Sequence, residues 1–169
     1  GVVTSTVTGH TGGLIAYAWL SANAGPPPAS TSLTIQRNYA SGNVSGGGTD
    51  TGGLVGFLHT EANTTLNLNS SFYTGILSGS GNLAAMVGYM DGAVFEDGND
   101  LYYYDPSLPY PPLPCANNGT IDCTLAPSTS QFTSGPSSPS SLPIHTWDFA
   151  NVWGYQPTIN GGLPCLQWE

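Results

Sequence analysis

Basic residues are almost missing from this chain: Arg37 is its one Lys or Arg, set against ten Asp or Glu, and the formal charge is -9. A surface of that sign repels phosphate, which argues against nucleic acid and anionic membranes as partners. Charge of either sign is scarce, at 7% of residues, where soluble domains carry roughly 25%. Solubility must then come from Ser, Thr, Asn and Gly, a balance seldom met in cytosolic enzymes and common outside cells. No apolar run approaches a membrane span, and no basic-then-apolar leader precedes Gly1, so the chain reads as a processed mature protein or a piece of a longer one. Its 169 residues suit one domain with a core that needs no metal staple.

Catalytic signatures are also lacking. The sequence has no G-x-S-x-G elbow, no paired metal-ligand histidines, no phosphate loop and no dinucleotide fingerprint. His10, His59 and His145 lie far apart. His10 and His59 could meet across stacked coils, but turn histidines beside solvent are the simpler reading. The densest acidic stretch, "DGAVFEDGND", holds Asp91, Glu96, Asp97 and Asp100, with Asp105 close by. Glu96, Asp97 and Asp100 are the candidate ligands for Ca2+, although the EF-hand order is missing and a solvated turn competes. Nothing marks one carboxyl for a raised pKa, as a glycosidase pair needs. The expectation is a protein that is not an enzyme and has no cofactor and no catalytic residues.

Cysteines are few and odd in number: Cys115, Cys123 and Cys165. Three pairings are open. The loop "CANNGTIDC" favours Cys115 with Cys123, because Asn117-Asn118-Gly119 turns the chain and a short loop closes at little entropic cost. Three buried thiols are the alternative. Asn43, Asn63, Asn69 and Asn118 each open an N-x-S/T acceptor pattern, which suits an extracellular chain carrying covalent glycans.

What is abundant is repetition. "TGGLIAYAWL" at 11–20 returns as "TGGLVGFLHT" at 51–60 and more loosely as "LAAMVGYMDG" at 83–92. "NYASGNVSG" at 38–46 aligns without gaps on "SFYTGILSG" at 71–79. Between them, "TTLNLNSSF" places Leu66, Leu68 and Phe72 on one side with Asn67 and Asn69 on the other, and "STSLTIQRNY" repeats the device with Leu33 and Ile35. Helical periodicity is absent almost everywhere. The coarse expectation is about three short strands per repeat. From Asp105 to Pro143 proline and serine dominate, as in "DPSLPYPPLPC" and "TSGPSSPSSLP", and central strands are excluded. A linker is one reading; the preferred one is a long loop across the repeats, since Leu108, Tyr110, Leu113 and Phe132 are apolar residues that free linkers rarely carry.

The run Gly52-Gly53-Leu54-Val55-Gly56, with "SFYTGILSG" after it, and Gly12-Gly13-Leu14-Ile15, with "NYASGNVSG" after it, resemble the GLUG-motif repeat family of secreted and cell-surface proteins, adhesin-like ones among them. The third copy departs, with Ala84-Ala85-Met86-Val87-Gly88, and leads into "DLYYYDPS". The tail "WDFANVWGYQPTINGGLPCLQW" is similar to the family's usual ending. The resemblance implies an all-β, solenoid-like stack of about three repeats; with the composition it divides the chain into a repeat array over residues 1–105, a Pro/Ser-rich loop over 106–146 packed on it, and a Trp-containing capping strand over 147–169, all one structural domain. A β-sandwich or β-prism-like arrangement is the alternative fold. In such a stack Gly-Gly would allow positive φ and close approach of coils, while the following apolar residues form a continuous core.

Two functions compete on these grounds. The first is a non-catalytic extracellular or cell-surface structural protein. The second is an adhesin module that binds environmental or host glycans through Tyr102, Tyr103, Tyr104, Tyr110, Trp147, Trp153 or Trp168, although proline covering of the tyrosines is preferred and Trp153 and Trp168 read as a cap on the last coil. A shift of 40 residues aligns Val2 and Val3 with a closing strand whose Gly-Gly-Leu opening is absent. Either the chain is excised from a longer array, or copies of itself fill the open end through Leu163, Leu166 and Trp168. Head-to-tail strand addition of that kind builds a filament, the preferred expectation. The sequons carry their own test: native material should show an intact mass above the 17.4 kDa polypeptide, and a mass equal to it removes the glycan coat.

Overall fold

The computed structural model describes residues 2–6, 8–21, 30–92, 95–97, 101–104, 106, 112–119, 121–126, 128, 130–133, 143–156 and 158–169. The fold is all-β, and one set of five strands occurs three times in the same order. We term each set a rung. The first holds β1 (Val3–Ser5), β2 (His10–Gly12), β3 (Ile15–Leu20), β4 (Thr31–Gln36) and β5 (Tyr39–Ala40). The second holds β6 (Val44–Gly46), β7 (Asp50–Gly52), β8 (Val55–Thr60), β9 (Thr64–Asn69) and β10 (Ser71–Thr74). The third holds β11 (Leu77–Gly79), β12 (Asn82–Ala84), β13 (Val87–Gly92), β14 (Phe95–Asp97) and β15 (Leu101–Tyr104). Each strand pairs in parallel with its counterpart one rung on, so five small sheets result and none closes on itself. The expected three strands per repeat become five because short segments such as "VSG" and "DTG" also pair.

The register stacks like on like. Leu33 and Ile35 lie over Leu66 and Leu68, and Val44 lies over Leu77. Leu54, Leu58, Leu66, Leu68, Met86 and Leu101 are fully buried in the resulting core. The alternation expected in β9 is present, with Leu66 and Leu68 buried and Asn67 and Asn69 half-buried. Phe72 does not share their side. Ser70 turns the chain with φ of 45°, and Phe72 joins a second cluster on the flank instead. Arg37, which precedes the matching corner in the first rung, has φ of 56° and donates its backbone N–H to the Asn69 carbonyl.

The Gly-Gly steps serve close approach alone. None of Gly12, Gly13, Gly52 and Gly53 has positive φ, contrary to the expectation. A Cβ on Gly53 would overlap the Ala85 carbonyl and come within 2.5 Å of the Tyr73 ring.

At the edge of the third rung, β13 and β15 are covered by the segment around a disulfide between Cys115 and Cys123, whose Cα atoms lie 5.6 Å apart, while β11, β12 and β14 are terminal in their sheets among the described residues. Ala85 N–H donates to Pro114, those of Met86 and Val87 to Cys115, and that of Met90 to Asn117, while β16 (Thr124–Leu125) pairs with β15. The cap is therefore this loop and not the C-terminal tail. The tail forms the antiparallel hairpin of β17 (Trp153–Tyr155) and β18 (Pro164–Leu166) on the flank of the β5-β10-β15 sheet. With the short helix α1 (Ser130–Thr133) and the turn Pro143–Thr146 it buries Phe132, Ile144, Trp147 and Trp153 around Phe72. Cys165 is a buried free thiol there. Among the described residues no helix is long and apolar enough to cross a membrane.

Replacing Gly53 by alanine should destabilise the fold by about 1–3 kcal/mol, the usual cost of forcing atoms into a filled space. The check is the urea midpoint of unfolding. An unchanged midpoint would show that the rungs can separate at this step.

Candidate functional site

Strand β3 alternates, and its outward positions are Tyr17 and Trp19, while Leu20 is buried. The parallel register carries these positions through the sheet, so Tyr17 lies over Phe57 and Phe57 over Tyr89. Their rings stack at 5.3 Å and 5.8 Å with interplanar angles of 2° and 10°. The neighbouring column is Trp19, His59 and Asp91. Trp19 meets His59 edge-on at 4.9 Å, and His59 Nδ1 lies 3.1 Å from an Asp91 carboxylate oxygen. Glu61 holds Trp19 in turn: its carboxylate accepts from the indole N–H at 3.3 Å and from the Ser21 hydroxyl at 2.7 Å. Those two bonds, Ser21 first, hold its carboxyl below the usual carboxylate range.

A third column is polar. Asp50 is 4% exposed and sits between His10 of the first rung and Asn82 of the third. His10 Nδ1 lies 2.7 Å from one oxygen, and Asn82 Nδ2 donates to the other at 2.7 Å. The His10 ring also lies 4.4 Å from Phe57, which joins this column to the aromatic ones. The outer face of the β3-β8-β13 sheet is thus a continuous surface of rings edged by carboxylates. His10 and His59 each have a carboxylate of their own rather than forming a shared site.

The free edge of the first rung is the second candidate. Among the described residues all five of its strands are terminal in their sheets. A cleft of about 180 Å³ opens there between Val2, Val3, Gly13, Tyr39 and Val44. Val2 is 70% exposed and Leu14 44%. The tail reaches this end, since the Tyr39 hydroxyl donates to the Glu169 carboxylate at 2.8 Å. Burial, and then that carboxylate, push the Tyr39 phenol far above its ordinary range.

The residues singled out in the sequence fall as follows. Asn43, Asn63 and Asn118 are exposed and Asn69 is half-buried. Asn118 donates its side-chain N–H to the Met90 carbonyl, and Asn43 accepts from the Ile76 N–H. Val2 and Val3 lie on the free edge, while Leu163 and Leu166 pack into the flank cluster. Trp168 is 69% exposed and caps nothing among the described residues. Tyr103, Trp147 and Trp153 are buried, which removes them as sugar contacts, and the Tyr103 hydroxyl donates to the Leu113 carbonyl. Glu96 and Asp97 lie in β14, while their side chains, with Asp100, Asp105, Leu108 and Tyr110, are outside the described residues. Among the described residues no three His, Cys, Asp or Glu converge as a metal site. The sequence reading missed Tyr17, Trp19, Phe57 and Tyr89 as a surface, although their i, i+2 spacing in the aligned repeats was the signal.

No protein-family model matches the chain, and neither does any curated protein sequence or solved structure.

The Tyr39 phenol supplies a pH test. Its folded pKa is raised above the unfolded value of about 10, so its contribution is present below about pH 10 and is lost as pH climbs past it. Stability measured by urea unfolding should fall above that pH. The Tyr39→Phe chain should show a shallower fall, and an equal slope would discount the bond to Glu169.

Proposed function

We propose that the chain is a non-catalytic, extracellular structural module, a β-solenoid of the GLUG-like kind, whose open first rung associates with a second copy. The observation that carries this reading is the free edge itself: five strands end there with apolar Val2, Val3 and Leu14 exposed beside them. An uncovered strand edge is a template for pairing with another chain. Support for the extracellular setting comes from the Cys115–Cys123 bond, since disulfides persist in oxidising compartments. Exposed sequons at Asn43, Asn63 and Asn118 suit a glycan coat that supplies the polarity the sparse charges do not.

The direction of assembly follows from what lies at each end. Among the described residues the disulfide loop covers β13 and β15 at the third-rung edge and leaves β11, β12 and β14 terminal there, while the first-rung edge is uncovered along all five strands and has the tail beside it at Tyr39, so the larger uncovered edge and the tail occupy one end of the stack. A contact that uses one end only is isologous and closes as a pair, which favours a two-fold dimer over the head-to-tail filament. In β1, Val3 donates inward to Asn43 and Ser5 accepts from Gly47, so alternation leaves the N–H and C=O of Thr4 facing outward.

Sedimentation of the whole protein should show concentration-dependent dimers. Thr4→Pro removes an outward N–H without touching the inward bonds, and should give monomers of unchanged melting temperature. Fibres instead of dimers would restore the filament. Monomers at every concentration would end the self-association reading.

A further inference from the structure

The outer face of the β3-β8-β13 sheet has no role in the reading above. Its aromatic rings are costly to leave in water, and a comparable ladder elsewhere in the molecule is covered. On the β5-β10-β15 sheet, Tyr39 and Phe72 stack at 5.2 Å, and Trp147 and Trp153 close over them. On the β3-β8-β13 sheet nothing among the described residues closes over Trp19, which is 60% exposed, or Tyr17, at 45%. We infer that this face is a binding platform for a neutral, extended β-linked glycan that runs along the stack, across the strands, with about one pyranose per rung.

Four observations lead to that ligand class. First, the rings are held in place before anything binds. Trp19 is fixed by its bond to Glu61 and by edge contacts with Tyr17 at 6.4 Å and His59 at 4.9 Å. A rigid exposed indole loses little entropy on binding and offers a flat apolar face to the axial C–H groups of a pyranose. Second, the platform is periodic. Successive rungs are about 4.8 Å apart, close to the advance per sugar of an extended β-linked chain, and each rung presents one ring of the ladder, Tyr17, Phe57 or Tyr89, beside a second group, Trp19, His59 or Asp91.

Third, acceptors line the edge of the platform. Asp91 is about half exposed, and only one of its oxygens meets His59. Glu61 lies beside the indole. Carboxylates of this kind accept hydrogen bonds from sugar hydroxyls, and such charge-assisted bonds are the stronger ones. Fourth, the electrostatics exclude the alternatives of opposite character. Asp50, Glu61 and Asp91 surround the rings, Arg37 is the chain's one fixed cation, and the net charge is -9. A uronate, sulfated or sialylated chain would be repelled. A purely apolar partner would strand the carboxylates, whereas a neutral polyol satisfies both kinds of group.

The test uses the whole protein with cellohexaose, β-mannohexaose and N-acetylchitohexaose, and with β-linked hexamannuronate as the anionic counterpart, read by titration calorimetry and tryptophan emission. At least one neutral hexasaccharide should bind and shift the emission, with hexamannuronate inert. Trp19→Ala and Tyr17→Ala should each weaken binding by about tenfold or more, as expected for loss of an aromatic contact. Trp168→Ala, which removes an equally exposed indole on the flank, should leave binding unchanged. All three side chains are exposed, and circular dichroism of each variant is the check that it folds. No binding by any neutral sugar, binding indifferent to Trp19 and Tyr17, or preference for the anionic chain would each overturn the inference. So would a dimer that Trp19→Ala dissociates, because the face would then belong to a second copy. Loss of dimerisation in Thr4→Pro with sugar binding intact separates this platform from the free edge.

Discussion

In-register parallel pairing between rungs is the constraint on which the rest of this molecule depends. When a strand lies beside its counterpart at the same register, every side chain sits about 4.8 Å from the residue that occupies its own place in the next rung. Columns of one chemistry are the stable outcome. Leucines over leucines make the core, Tyr17, Phe57 and Tyr89 make a ladder, and a buried carboxylate is tolerable at Asp50 only because His10 and Asn82 occupy the adjoining places. The same constraint has a cost. The Thr11 and Thr51 hydroxyls are carried into the interior in one column and find no hydrogen-bond partner among the described residues.

Ends are the weak points of such a stack, and the two ends are treated differently. At the third rung a short disulfide-closed segment satisfies the N–H groups of Ala85, Met86, Val87 and Met90. The cross-link restricts the unfolded chain and holds a partial rung that carries few strand contacts of its own. At the first rung no comparable segment lies over β1 to β5 among the described residues. The flank hairpin reaches this end through Glu169 but lies beside the strands rather than across their edge. This asymmetry is what the association of copies would act on.

The two aromatic ladders differ only in what lies over them. Residues from α1, the turn Pro143–Thr146 and the β17–β18 hairpin turn the ladder at Tyr39 and Phe72 into a second core. The ladder at Tyr17, Phe57 and Tyr89 has carboxylates and imidazoles at its margins instead. Burial in one case and solvent in the other set chemically similar columns apart: one stabilises the fold, and the other is the face on which the inferred recognition rests.

By itself the sequence determined the repeat, the inward alternation of Leu66 and Leu68, and the preference for Cys115 with Cys123, because each of these is local: a spacing of two, a matching segment, a short loop. It could not place Phe72, since one left-handed residue at Ser70 moves that ring from the core side to the flank. Nor could it tell which aromatics stay in water. Tyr103 stood among the candidate sugar contacts and Tyr17 and Trp19 did not, and the outcome was set by what packs on each sheet: the Leu113 segment and β16 beside Tyr103, the flank cluster around Phe72, and nothing among the described residues over Trp19. Identity along a strand is local information; coverage of a sheet is a property of the assembled layers, so only the tertiary structure decided it.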